Sequence, residues 1–242
     1  MTTAVVVHGV GLWPGSFSAV TERVAAETGC EVVTWTRPPY DGGETAFGAQ
    51  LRALAAVVVE HRPAVVAGVS GGATLALALG IESAAGRLGP DVAGALRGIV
   101  THEPLIGALE PVLGRRVADA ATELAADPTA SSAASFCRGL YGPRWSDLGA
   151  DADAWFARHA DVVPADVAAF SSFQPAEGDL AEVAVPHRTS VGARSGPERH
   201  RVAATLAAAG ATSVVVPDCG HLIHLDAPDL FVRLITSSLT SL

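Results

Sequence analysis

The chain has 242 residues and a formal net charge of −9, and 49% of its residues are apolar while only 5% are aromatic. That length suits one large α/β domain better than two ordinary ones, with a core built from Ala, Val and Leu in close helix-on-sheet packing. All sixteen basic residues are arginines, which excludes a Schiff-base lysine, a pyridoxal anchor and a phosphate-loop lysine, and the acidic balance disfavours nucleic acid as a partner.

The first residues, MTTAVVVHG, carry no basic segment ahead of the apolar run and no cleavage signature, so a cytoplasmic protein is expected. Residues 4–7 form a short β-branched run that closes at His8-Gly9, the pattern of a buried strand entering a loop. Helical spacing follows over residues 16–28, with Phe17, Val20 and Val24 on one side and Gly29 as the stop. A second strand is predicted at 31–36, ended by Arg37-Pro38-Pro39. Thr45 is the expected cap of a helix running to about Glu60, with Phe47, Leu51, Leu54 and Val58 on its apolar face. A third strand at 65–69 leads into a helix from Gly72 to near Gly86, and a fourth strand occupies 97–101. Residues 64–81 carry no charge over eighteen positions, the lower limit for a membrane span. Gly68, Ser70, Gly71 and Gly72 interrupt that run and favour strand, tight turn and buried helix, with no membrane as partner.

Alternation at this interval implies parallel strands joined by crossovers and covered on both faces. The rhythm then breaks. Residues 105–182 show no strand-like run, are rich in Ala and Pro, and hold Tyr141, Trp145, Trp155 and Phe156; a segment this long is expected to be a helical insertion. Strands return at 187–191 and 213–216, with helices at 197–209 and 229–239. The predicted architecture is a mostly parallel six-stranded sheet with helices on both faces, its core formed by residues 1–104 and 183–242, with a helical cap inserted after the fourth strand.

The stretch VVAGVSGGATLALAL places Ser70 where a β-branched strand meets an Ala/Leu helix. Glycines around it permit a sharp strand-to-helix turn, and the helix N-terminus directs free N–H groups toward the side chain. A serine nucleophile needs a base, and His221 in PDCGHLIHLDAP follows the last strand, so it should emerge at the same edge of the sheet. With His8-Gly9 after an early strand, Ser70 in GVSGG, Gly220-His221 followed by Pro228 and Phe231, and the insertion after the fourth strand, the chain resembles an α/β-hydrolase over nearly its whole length. The resemblance implies Ser70 as nucleophile, His221 as base, the backbone N–H groups of Val10 and Gly71 as oxyanion hole, and no cofactor or metal. It departs from the family at two places. The usual first two strands are missing, as in shorter members, and VGARSGPERH carries Gly192 but has Ser195 where the acid is expected.

Glu103 in GIVTHEP, at the end of the strand after the nucleophile's, is therefore the expected acid; a minority of α/β-hydrolases place it there. Asp218 and the surface-expected Glu198 compete for that role, and a Ser–His dyad without an acid is the remaining case. His8 is read as structural, and His102 and His224 as packed side chains. Trp13, Tyr141, Trp145 and Trp155 are candidate substrate contacts, weighed against a cap core of their own. Arg194 and Arg199 are read as solvated charges near the mouth. Cys30, Cys137 and Cys219, odd in number and far apart, fit isolated thiols. The function expected is a cofactor-independent serine hydrolase acting on a small or medium, largely apolar ester, lactone or thioester, as monomer or homodimer. The same fold also hosts cofactor-free lyases and cyclases, and a ligand-binding member without turnover is a third possibility.

Overall fold

The structure, a computed structural model, describes residues 2–240. In chain order its elements are β1 (Thr3–Val7), α1 (Ser18–Thr28), β2 (Val32–Trp35), α2 (Phe47–Glu60), β3 (Ala64–Val69), α3 (Gly71–Ala84), α4 (Pro90–Ala95) and β4 (Leu96–His102). A run of helices follows: α5 (Pro111–Ala126), α6 (Ala130–Tyr141), α7 (Gly149–His159), α8 (Val163–Ala169) and α9 (Glu177–Ala181). The chain closes with β5 (His187–Gly192), α10 (Pro197–Ala208), β6 (Thr212–Val216), α11 (Ile223–Asp226) and α12 (Pro228–Thr240).

The six strands form one sheet in the order β2-β1-β3-β4-β5-β6, and every pairing is parallel. β1 and β3 are buried along their whole length, as near-continuous apolar runs covered on both faces require. The eighteen uncharged residues divide between β3 and α3, and α3 is buried almost all round because it lies between the sheet and α2. Among the described residues no helix is long and apolar enough to cross a membrane.

The order reverses direction between β1 and β3, since the chain leaves β1 toward β2 on one side and returns on the other. Open parallel sheets bind ligands at such a reversal, beyond the C-terminal ends of the strands. His8-Gly9 and Ser70 follow the ends of these two strands directly.

Local differences from the expected elements have simple causes. Thr45 does not cap α2; Ala46 stands at its start without a side-chain cap, and the Thr45 carbonyl instead accepts from Gln50 Nε2 at 2.7 Å. The first predicted helix begins as a 3-10 turn, Pro14–Phe17, before α1 proper. α4 and α11, at six and four residues, are too short to show helical periodicity in a sequence.

Candidate active site

Ser70 sits between β3 and α3 with φ 56° and ψ −122°, a conformation that side-chain-bearing residues rarely adopt. Two glycines make the turn possible. A Cβ on Gly72 would lie 2.1 Å from the Val7 carbonyl oxygen, and one on Gly68 would lie 2.3 Å from the Gly72 carbonyl carbon. The turn is then tied to the neighbouring strand, because Ser70 N donates to the His102 carbonyl at 2.9 Å. Strain at one serine is thus maintained by close backbone packing on both sides of it.

Glu103, the first residue after β4, also has a positive φ of 49°. Its carboxylate is buried and accepts from several donors. Oε2 takes His221 Nδ1 at 2.7 Å and faces Arg199 Nε at 3.3 Å. Oε1 takes Gly192 N at 2.9 Å and the Ser195 hydroxyl. Burial by itself raises the carboxyl's pKa. The His221 hydrogen bond, with electrostatic help from the neighbouring His102 and His221 rings and the Arg199 guanidinium, outweighs burial and holds the group well below the usual carboxylate range. An ionised carboxylate only accepts, so His221 Nδ1 carries the proton and Nε2 is left as the basic nitrogen. Burial, and after it the Arg199 guanidinium, pulls His221 below the ordinary histidine value, against the raising effect of Glu103.

The loop that carries His221 is held from both sides. Gly192 lets it cross the end of β5, since a Cβ there would meet the Cys219 carbonyl oxygen at 2.4 Å. Gly220 N donates to Asp226 Oδ2 at 3.0 Å, and the Gly220 carbonyl lies 3.1 Å from His102 Nε2. Burial brings His102 down to about 4, so this ring bridges Ser190 and Gly220 as a neutral group.

Ser70 and His221 line one cavity of about 170 Å³, together with Val10, Leu105 and Arg199. The helices between β4 and β5 form its other wall through Leu113, Arg116, Val117 and Ala120 of α5, Phe136 and Leu140 of α6, and Val167 of α8. His221 also borders a second, more polar cavity with Tyr141, Arg144, Arg194 and Asp226. Val10 lines the first cavity, and Gly71, the residue after Ser70, opens α3. Gly71 N belongs to the first turn of α3 and has no partner within its own helix.

Asp218 is exposed in the turn after β6. Glu198 is not on the surface as expected; it is 2% exposed and paired with Arg116. Arg199 is likewise no solvated charge, with its side chain only 17% exposed against Glu103, whereas Arg194 is exposed and pairs with Asp226. His8 donates from Nδ1 to Gly9 O at 3.0 Å and accepts from Arg37 N at Nε2, a structural role. His224 stacks on Phe17 and contacts Ser16 Oγ at 3.1 Å.

The aromatic residues expected at the substrate do not line the Ser70 cavity. Tyr141, Trp145 and Phe156 pack on one another, Trp155 stacks on Tyr40, and Trp13 N donates to Tyr141 Oη at 2.8 Å. These rings pack on one another or on Tyr40 and leave mainly aliphatic side chains, with Phe136, for the cavity. The residues missed were Leu113, Val117 and Ala120, at i, i+4 and i+7 on α5, and Phe136 and Leu140, at i and i+4 on α6. Those stripes were the available signal. Ser195, in the place expected for the acid, instead donates to it. Burial pushes the Cys137 and Cys219 thiols up to about 12. Among the described residues no group of three or more His, Cys, Asp or Glu side chains is arranged to hold a metal.

The sequence model of the alpha/beta hydrolase family matches residues 4–234. No curated protein matches the chain. Solved structures similar in fold include NosK from Streptomyces actuosus, at 19% identity and a TM-score of 0.68, with 99% of this chain and 98% of that one covered. An enol-lactonase from Burkholderia xenovorans aligns at 14% identity and a TM-score of 0.71, over 99% and 91% of the two chains. An esterase from a Rhodococcus species aligns at 18% identity and a TM-score of 0.71, over 100% and 91%.

Proposed function

The chain belongs to the α/β-hydrolase family, and from that premise we propose that it is a cofactor-independent serine hydrolase acting on an ester, lactone or thioester with an apolar acyl part. The observation that carries this reading is the 2.7 Å contact between His221 Nδ1 and the buried Glu103 carboxylate, beside a cavity shared by His221 and the strained Ser70.

In this mechanism Nε2 of His221 takes the Ser70 proton as Oγ attacks the acyl carbon. The oxygen that becomes negative is met by the Val10 and Gly71 amides, donors already in place before reaction. Collapse of the adduct expels the alcohol or thiol, protonated by His221. Water, activated by the same ring, then releases the acid and restores Ser70. Glu103 remains ionised throughout, holding the tautomer and stabilising the imidazolium. Residues 105–182 act as the cap, since α5, α6 and α8 supply the largely apolar wall against which an acyl chain packs.

A fluorophosphonate probe followed by peptide mapping tests this directly, alongside turnover of a panel of nitrophenyl esters. The expected result is a single adduct on Ser70 that abolishes turnover. Labelling without ester turnover would favour a lyase or cyclase, and an unlabelled Ser70 would leave only a ligand-binding protein.

A further inference from the structure

Arg37, which in the sequence stands out only as part of the stop after the second strand, is fully buried, and so is Asp166 of α8. Burying two opposite charges is costly unless their polar atoms are closely matched. Here all four Nη hydrogens of Arg37 are used. Nη1 donates to Asp166 Oδ1 at 2.8 Å and Gln50 Oε1 at 2.8 Å, and Nη2 donates to Asp166 Oδ2 at 2.6 Å and the Gly9 carbonyl at 3.0 Å. Asp166 accepts further bonds from the Tyr40 hydroxyl at 2.7 Å and Gln50 Nε2 at 3.0 Å. Tyr40 in turn accepts from Gly11 N at 3.2 Å.

The network therefore grips the chain on both sides of Val10, at the Gly9 carbonyl and the Gly11 amide. The Gly9 carbonyl and the Val10 N–H belong to one peptide unit, which is planar and, when trans, points the two groups in opposite directions. Three donors hold that carbonyl: Arg37 Nη2, His8 Nδ1 at 3.0 Å and Leu12 N at 3.3 Å. Fixing the carbonyl toward Arg37 fixes the Val10 N–H on the opposite side, and a cationic donor polarises the peptide so that this N–H donates more strongly. Gly71, which carries the second amide, also packs against the insertion, because a Cβ on it would lie 3.0 Å from the Phe170 ring. That same ring lies under the Arg37 guanidinium, 5.4 Å from its centroid.

From this geometry we propose that Arg37 and Asp166 are positioning residues for the hydrolytic step. The buried pair sets the plane of the Gly9-Val10 peptide, aims its N–H at the oxyanion, and ties that setting to the seating of α8. This rests on the hydrolase reading of Ser70. It differs from a merely structural pin in one respect: the pair acts on the transition state through a donor it orients, without touching substrate.

The test is a double substitution, Arg37→Met with Asp166→Leu, which removes both charges so that neither is left buried alone. Asp166→Asn serves as a second, isosteric variant. Thermal melts first establish that each variant is folded. kcat and KM are then measured on a nitrophenyl ester, and affinity is measured for an alkylboronic acid that forms a tetrahedral adduct with a catalytic serine. Loss of one oxyanion donor lowers kcat by about 10²–10³; the double variant should approach that loss, with KM within about threefold of wild type and boronate affinity falling in step with kcat. Asp166→Asn should show the same pattern at smaller size.

A folded variant with wild-type kcat overturns the positioning role, as does one whose kcat falls while boronate affinity is unchanged. A wild-type protein that neither labels at Ser70 nor turns over esters overturns the hydrolase reading itself, and the positioning role with it.

Discussion

The C-terminal edge of the sheet and the helical insertion above it meet at one cavity but are ordered by different physics. At the sheet edge, backbone packs against backbone. Gly72 lies against the Val7 carbonyl and Gly192 against the Cys219 carbonyl, so the positions of Ser70 and His221 follow from where the chain has no room for a side chain. In the insertion, side chains set the geometry: an aromatic cluster of Tyr141, Trp145 and Phe156, and the fully buried Asp166 carboxylate that reaches down to Arg37. The first kind of order is local and unforgiving. The second is distributed, and many sequences satisfy it.

Substitutions that separate chemistry from packing sharpen this contrast, and the largest effect is expected at the sheet edge. Ser70→Ala should lower kcat by on the order of 10⁶, as loss of the nucleophile does in comparable triads. The melting temperature should barely move, because the change removes one hydroxyl at a position held by its glycine neighbours. Activity assays beside a circular-dichroism melt check both halves. Activity above a few per cent of wild type would sink the assignment of Ser70.

Next in size is Glu103→Gln, for which about 10⁴ in kcat is expected, since the amide no longer holds the required tautomer or stabilises the imidazolium. Asp218→Asn and Glu198→Gln, measured side by side with it, should stay within a few-fold of wild type. Asp218 is exposed, and Glu198 is engaged by Arg116. A wild-type rate in Glu103→Gln would return the site to a Ser–His dyad.

A smaller and more particular effect is expected at Arg199. The base must be neutral to accept the Ser70 proton, and His221 lies below the ordinary histidine value, from burial and then from Arg199. The acidic limb of kcat/KM should therefore fall below pH 6.5, the ordinary histidine value. The groups facing the ring are Glu103, which raises its pKa, and Arg199, which lowers it. Arg199→Met deletes the lowering charge, so the limb should move to higher pH, with activity lost at mildly acidic pH and largely retained above neutrality. A pH profile that shifts downward, or not at all, contradicts this account of the site's electrostatics.

The same division explains what could be read before the structure. All six strands, the elbow serine and the distal histidine leave local marks: β-branched runs, paired glycines, and a Gly-His after the final strand. Glu103 could be singled out because it ends the strand beside the nucleophile's, a fact of topology. Arg199 and Glu198 were misplaced because burial of a charged residue depends on partners far along the chain, here Glu103 and Arg116. Arg37 and Asp166 lie 129 positions apart, and no periodicity connects them. The cavity lining failed for a different reason. Aromatic residues are the conspicuous ones in a sequence, yet most of the large rings here pack on one another, and the stripes left facing the site are aliphatic apart from Phe136.

That last distinction yields the smallest predicted effect and the clearest test of where the substrate lies. Phe136 of α6 lines the cavity with Ser70, whereas Trp145 packs on Tyr141 and Phe156. Phe136→Ala enlarges the wall against which an acyl chain would rest, and contacts of methylene size in apolar pockets discriminate by about 10–200-fold. Its preference along a series of nitrophenyl esters should move toward longer acyl chains by a factor near the lower end of that range. Trp145→Ala instead removes a ring from the insertion's own packing. It should lower the melting temperature, as large-to-small changes at packed aromatics cost about 3–5 kcal/mol when fully buried and less here, where the ring is only partly buried. Chain-length preference should stay at the wild-type optimum. If the two outcomes are exchanged, so that Trp145→Ala changes selectivity and Phe136→Ala only stability, the acyl group binds on the aromatic side of the insertion and the cavity beside Ser70 takes the leaving group.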